Sequence, residues 1–146
     1  MKQWNEAKPF EILLVEDNPG DVRLTMEALK ECSRNIKLHV VENGLESLHF
    51  LRKEKNYKES PTPDLIFLDL NLPKKNGREV LAEIKEDVNL KRIPVVVLTI
   101  SSAEDDIVNA YENHANCYVI KPLDIDQFVK KMLNIIEFWS LSVRLP

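Results

Sequence analysis

Five short apolar runs recur along the chain, each followed by a longer stretch with helical spacing, and this alternation restricts the fold more than any other feature. The runs are Phe10–Val15 (FEILLV), Ile36–Val41 (IKLHVV), Asp64–Leu68 (DLIFL), Val95–Thr99 (VVVLT) and Cys117–Ile120 (CYVI), with starts 22 to 31 residues apart. Such gaps are too long for hairpins and suit crossovers, each a strand followed by a helix. The first, third and fourth runs are nearly continuous in Ile, Leu, Val and Phe, as expected of strands covered on both faces. The second sets Lys37 and His39 against Ile36, Leu38 and Val40, which suits a sheet edge.

The intervening segments read as helices. Pro19 opens the first, and Val22, Met26 and Leu29 give it an apolar stripe up to Cys32. Leu45, Leu48, Phe50 and Leu51 mark the second, and Val80, Leu81 and Ile84 the third. Ser101 and Glu104 have capping-box spacing at the start of the fourth. The fifth is expected from about Asp124 to Trp139, with Ile125, Phe128, Val129, Met132, Ile136 and Trp139 on one core-facing stripe. The polar stretch Arg52–Thr62 reads as a loop or a frayed helix end. Five βα units in succession predict an α/β fold, a doubly wound parallel sheet with helices on both faces.

Composition narrows the function classes. A chain of 146 residues with 44% apolar and 30% charged side chains has the balance of one globular domain. Its formal charge of −4 argues against a nucleic-acid partner. No apolar run reaches membrane-spanning length, and the polar start, Met1 to Lys8, lacks the apolar stretch of a secretory signal. Cys32 and Cys117 have no metal-type spacing and fit a reducing compartment, so a cytoplasmic location is expected. His39, His49 and His114 have no ligand-like spacing either.

In doubly wound sheets ligands bind at the carboxyl ends of the strands. There the sequence places Glu16-Asp17 after the first run, Asp69 and then Leu70-Asn71-Leu72-Pro73 after the third, Thr99 at the end of the fourth, and Lys121-Pro122 after the fifth. Singly, each has a structural reading: Asp17 or Asn18 as a helix cap, Asp69 as a polar strand end, Thr99 as a β-branched strand residue, Lys121 as a surface charge. Jointly they form a specific set. Three converging carboxylates repel one another, and a hard divalent cation, Mg²⁺ or Mn²⁺, relieves that repulsion. Lys121 and Thr99 then offer a compact positive charge and a hydroxyl, suited to holding a phosphoryl group.

These motifs resemble those of a response-regulator receiver domain, the phosphoacceptor half of two-component signalling. The matching words are ILLVEDN at 12–18, DLIFLDLNLP at 64–73, VVVLT at 95–99 and YVIKPLD at 118–124, with 30 residues from Asp69 to Thr99 and 22 from Thr99 to Lys121. The resemblance spans about Phe10 to Trp139. It implies a flavodoxin-like five-stranded sheet in the order 2-1-3-4-5. Residues 1–9 would be an N-terminal extension, 10–139 the receiver and 140–146 an apolar tail, with no output domain. Within the family, the segment before the third strand, the LNLPKKNGREVLAEIK stretch and the Phe138-Trp139 ending look like single-domain regulators that serve phytochrome-type histidine kinases.

By the same resemblance, Asp69 takes the phosphoryl group from a phosphohistidine. Asp17 would bind the metal directly and Glu16 through water, with Asp69 and the backbone carbonyl of Asn71 completing the set. Lys121 would pair with the phosphoryl oxygens, its direction set by a cis Lys121–Pro122 peptide. Thr99 and Tyr118 would form the switch, with Thr99 moving to the phosphoryl group and Tyr118 turning inward. Such a domain modifies itself and slowly loses the group to water; it is not an enzyme on an external substrate. Phe138, Trp139 and Leu141, with Val143 and Leu145, continue the apolar character past the domain edge. They suggest a homodimer through the face formed by the fourth and fifth elements, or a tail folded back over its own core.

Three competing readings are weaker. A haloacid-dehalogenase-like phosphohydrolase needs a second acid two residues after the nucleophile, where this chain has Asn71. A pseudo-receiver acting only as a binding module would lack one of the acidic, Thr or Lys positions, and all are present. A flavin-binding protein would need a phosphate-cradling loop after the first strand.

Overall fold

The computed structural model describes residues 8–146, so most of the expected N-terminal extension lies outside the described residues. The elements alternate throughout: β1 (Phe10–Val15), α1 (Pro19–Glu31), β2 (Ile36–Val41), α2 (Gly44–Arg52), β3 (Leu65–Leu68), α3 (Gly77–Glu86), β4 (Val95–Thr99), α4 (Glu104–Glu112), β5 (Cys117–Ile120) and α5 (Ile125–Glu137). The strands form one parallel sheet in the order β2-β1-β3-β4-β5, the flavodoxin-like arrangement, and β2 is an edge as its alternation suggests. The Arg52–Thr62 stretch carries one short 3₁₀ turn, Lys55–Tyr57.

Strand side chains alternate between faces, which divides the core in two. Leu13, Val15, Ile66, Leu68, Val95 and Val97 pack with Leu48, Val80, Leu81 and Ile84 under α2 and α3. Ile12, Leu14, Leu65, Phe67, Val96 and Leu98 pack with Ala28, Phe128, Met132 and Ile136 under α1 and α5. Every residue of β3 is sealed from solvent. The central strands are therefore immobile supports for whatever follows their last residues.

Three local expectations are revised. In α1 the buried positions are Thr25 and Ala28, while Met26 is 46% exposed. The core-facing side of the helix is centred on Thr25 and Ala28, flanked by the partly buried Val22, Leu24, Leu29 and Cys32, and Met26 lies outside it. At α4, Ala103 occupies the cap position without a side-chain bond, and the Ser101 hydroxyl donates to Asp106 Oδ2 at 2.6 Å. The hydroxyl hydrogen goes to a carboxylate itself held by Arg78, and the hydroxyl oxygen accepts the Ala103 amide at 3.3 Å rather than an amide inside the helix. Ile125 is 63% exposed because, as the first residue of α5, it projects back past the end of the core. After α5 the chain continues in a π-helical turn, Phe138–Ser142, that buries Ser140 and sets Trp139 and Leu145 against the α1–α5 core layer. Part of the tail thus folds back, leaving Phe138 and Leu141 exposed.

The loop from β3 to α3 is threaded between two glycines. A Cβ at Gly77 would land on the Asp69 carbonyl oxygen and lie 2.6 Å from Leu70 Cα, and one at Gly44 would strike the Lys75 carbonyl. The Gly77 amide also donates to Leu70 O at 2.9 Å. Alanine normally favours a helix over glycine by up to about 1 kcal/mol. Here Gly77→Ala should destabilise by about 1–3 kcal/mol, since the obstructing atoms are backbone. Urea denaturation of the two proteins checks the sign.

Candidate metal and phosphoryl site

Four strands end on one rim, and their backbones fix where the polar residues emerge. Past β1, the Glu16 amide donates to Val41 O at 3.0 Å, and past β3 the Asp69 amide donates to Val15 O at 3.2 Å. The Lys121 amide donates to Thr99 O at 2.8 Å, so the end of β5 is tied to the end of β4. Residues distant in sequence thereby become neighbours in the order of the sheet. Asp17 leads into α1, whose cap is Asn18; its side chain accepts from the amides of Gly20 and Asp21.

Lys121 stands at the centre, its side chain only 5% exposed. Its Nζ donates to Glu16 Oε1 at 2.6 Å, Asp21 Oδ2 at 2.8 Å and Asp69 Oδ2 at 3.1 Å, which uses all three ammonium hydrogens. Carboxylate oxygens of Glu16, Asp17 and Asp69 lie within 4.8 Å of one another, a donor set that fits a hard divalent cation. Glu16 and Asp69 are buried and Asp17 exposed, so the trio opens to solvent on the Asp17 side. Asp69 Oδ1 accepts the Asn71 amide at 3.1 Å, which holds the Asn71 backbone at the site. Thr99 is fully buried, and its hydroxyl has no hydrogen-bond partner.

Two differences from the sequence reading concern Lys121. The Lys121–Pro122 peptide is trans, as no cis bond occurs among the described residues. Three carboxylates aim the ammonium, and trans is the lower-energy isomer of an X–Pro bond. Asp21 was not singled out from the sequence, though it lies one helical turn beyond Asp17, a spacing that returns to the same face. Tyr118 is half-buried; its hydroxyl donates to Ser101 O at 2.9 Å, two residues past Thr99, and its amide donates to the Tyr111 hydroxyl at 3.1 Å.

The electrostatics follow from one ammonium shared among three acids. Burial alone would lower the pKa of Lys121, but its bonds to Asp21 and Glu16 and the charges of Glu16 and Asp69 hold it above the usual lysine range. Glu16 responds the other way. Its burial raises its pKa to about 7, against the opposing pull of Lys121, and the Asp69 charge adds to the rise. Glu16 therefore gives up its charge near neutral pH. A carboxyl with a raised folded pKa stabilises the fold below its unfolded pKa, and that contribution is lost as pH rises through the folded value. In chelator, stability relative to Glu16→Gln should fall by about 2 kcal/mol between pH 5.5 and 8. Denaturation of both proteins at the two pH values measures the difference.

Comparison with known proteins agrees with this geometry. The family model for the response regulator receiver domain matches residues 12–133. Response regulator Rcp1 of Synechocystis sp. is 50% identical over 138 residues, covering 94% of each chain. The crystal structure of the Mn²⁺-bound form of Rcp1 superposes with a TM-score of 0.91 over 94% of this chain and 99% of that one, at 50% identity. The phosphorylated cyanobacterial phytochrome response regulator RcpA superposes at 0.92, with 49% identity over 95% of this chain and 99% of that one. With its sheet order, its acidic trio and its strand-end threonine and lysine, this chain belongs to the response regulator receiver domain family.

Proposed function

We propose that the protein is a response regulator that accepts a phosphoryl group on Asp69 from a histidine kinase of the phytochrome type and signals through protein contacts. The observation that carries this reading is the Thr99 hydroxyl. A buried hydroxyl without a partner costs about 1–3 kcal/mol, and it sits at the strand end beside the one that leads to Asp69. A phosphoryl oxygen would satisfy it. The phytochrome assignment is supported by the 49% identity to a cyanobacterial phytochrome response regulator. The absence of a long apolar helix among the described residues is compatible with work in the cytoplasm.

In this reading one Asp69 oxygen attacks the phosphorus, the N–P bond of the phosphohistidine breaks, and the imidazole leaves with the electron pair. Glu16, Asp17, Asp69 and the Asn71 carbonyl would hold Mg²⁺ or Mn²⁺, which when bound neutralises charge on the transferring group. Lys121 pairs with a phosphoryl oxygen. Water later hydrolyses the acyl phosphate, so turnover is confined to the domain's own modification. The new group adds about −1.5 to −2 charge. Thr99 turns to it, the loop through Ser101 shifts, and Tyr118 exchanges its bond to Ser101 O for an inward position.

Residues 10–139 act as the receiver, and the end of that span together with the segment after it offers the exposed Phe138 and Leu141, beside the half-buried Trp139, as a homodimer surface. Incubation with acetyl phosphate and Mg²⁺ should add one phosphoryl group by intact mass to the wild type and none to Asp69→Asn. A wild type that gains nothing from any donor is a pseudo-receiver. Sedimentation should show a dimer for the wild type and a shift to monomer for Leu141→Lys; two monomers refute the interface.

A further inference from the structure

We propose that Asp21 is a positioning residue for Lys121, the carboxylate that keeps the ammonium in place when a divalent cation takes Glu16 and Asp69 from it. Lys121 has three donors and three acceptors, and the match is complete. Two of those acceptors, Glu16 and Asp69, also belong to the trio whose oxygens can gather round one cation. The ammonium and the cation therefore compete for the same two carboxylates. Asp21 is the acceptor outside the trio.

Its position prevents it from following the cation. Asp21 sits in the first turn of α1, where its amide donates to Asn18 Oδ1 at 3.3 Å and its carbonyl accepts the Thr25 hydroxyl at 2.9 Å. The helix thus fixes its backbone at both groups, while its side chain bonds Lys121 from the rim. When Glu16 and Asp69 turn to the cation, one ammonium hydrogen stays on Asp21. The other two are released toward the place where a phosphoryl group on Asp69 would stand. Without Asp21 the ammonium has only the two contested carboxylates, and the cation must break both contacts with nothing to receive the lysine. The consequence for phosphoryl transfer rests on the function proposed above; the competition for carboxylates does not.

An acid in a first helical turn also favours the helix dipole, so stability alone does not test the idea. The test is a double-mutant cycle on Mn²⁺ affinity, measured by titration calorimetry without any phosphodonor. Asp21→Asn should weaken Mn²⁺ binding about threefold to tenfold, the scale of coupling between groups in direct contact. In a Lys121→Met background the same substitution should change affinity less than about twofold, because there is no ammonium left to hold. An equal loss in both backgrounds overturns the proposal, since Asp21 would then contribute only its charge. So does an unchanged affinity in the single variant. If Lys121→Met does not fold, Asp21→Glu replaces it: the longer carboxylate can keep the ionic contact and should retain wild-type affinity within about twofold, while Asp21→Asn does not. Equal losses in both refute the role. Failure of the wild type to take up a phosphoryl group would count against the proposed function and leave this Mn²⁺ result standing.

Discussion

A single ammonium facing three carboxylates is the constraint around which this molecule is arranged. Removing one partner from a buried ion pair typically costs 3–5 kcal/mol, because the remaining charge is stranded. Here Lys121 is shared, so each of Glu16, Asp21 and Asp69 depends on the others' distance from it. The sheet order makes this sharing unavoidable. With β1 and β4 flanking β3 and β5 beside β4, residues after β1, β3 and β5 meet at one rim. The apolar strands supply the rigidity that holds like charges together at all, since a flexible rim would separate them.

The surroundings of the site extend this rigidity unevenly. On the β3 side, backbone meets backbone at Gly77 and Gly44, and the loop carrying Asn71 has no slack. On the β4 side the contacts are side-chain bonds. Arg78 in α3 donates twice to Asp106 in α4, Asp106 accepts from the Ser101 hydroxyl, and Ser101 O accepts from Tyr118. Side-chain bonds can be exchanged one at a time, whereas interlocked backbone cannot. The structure is therefore held by interlocked backbone beside Asp69 and by exchangeable side-chain bonds beside Thr99 and Tyr118.

The same division explains what was legible in the sequence. Strand positions, the β2 edge and the convergence of Glu16, Asp17, Asp69, Thr99 and Lys121 follow from apolar runs and strand ends, which are properties of one segment at a time. The sheet order was carried by family resemblance, because five βα units alone allow more than one winding. Features that depend on two elements meeting were hidden. Met26 faces outward because the core-facing side of α1 centres on Thr25 and Ala28, which an apolar stripe does not mark. The Ser101 cap fails because Asp106, held by Arg78, takes its hydroxyl hydrogen, and Asp21 matters only because Lys121 arrives from a strand one hundred residues away.

Charge counting shows what the threonine contributes. Glu16, Asp17, Asp21 and Asp69 against Lys121 leave three uncompensated negative charges when every acid is ionised. A bound divalent cation would reduce that to one. A phosphoryl group, which replaces the Asp69 charge by about two, brings it back to roughly two. Phosphorylation thus makes the cation-loaded rim about one charge more negative, though it stays less negative than the bare one. Hydrogen bonding differs between the states as well. Thr99 is buried with an unpartnered hydroxyl, whereas Glu16, Asp21, Asp69, Lys121 and Tyr118 already have partners. A phosphoryl oxygen would therefore offer the most to the Thr99 hydroxyl, the buried group at the rim that lacks a partner.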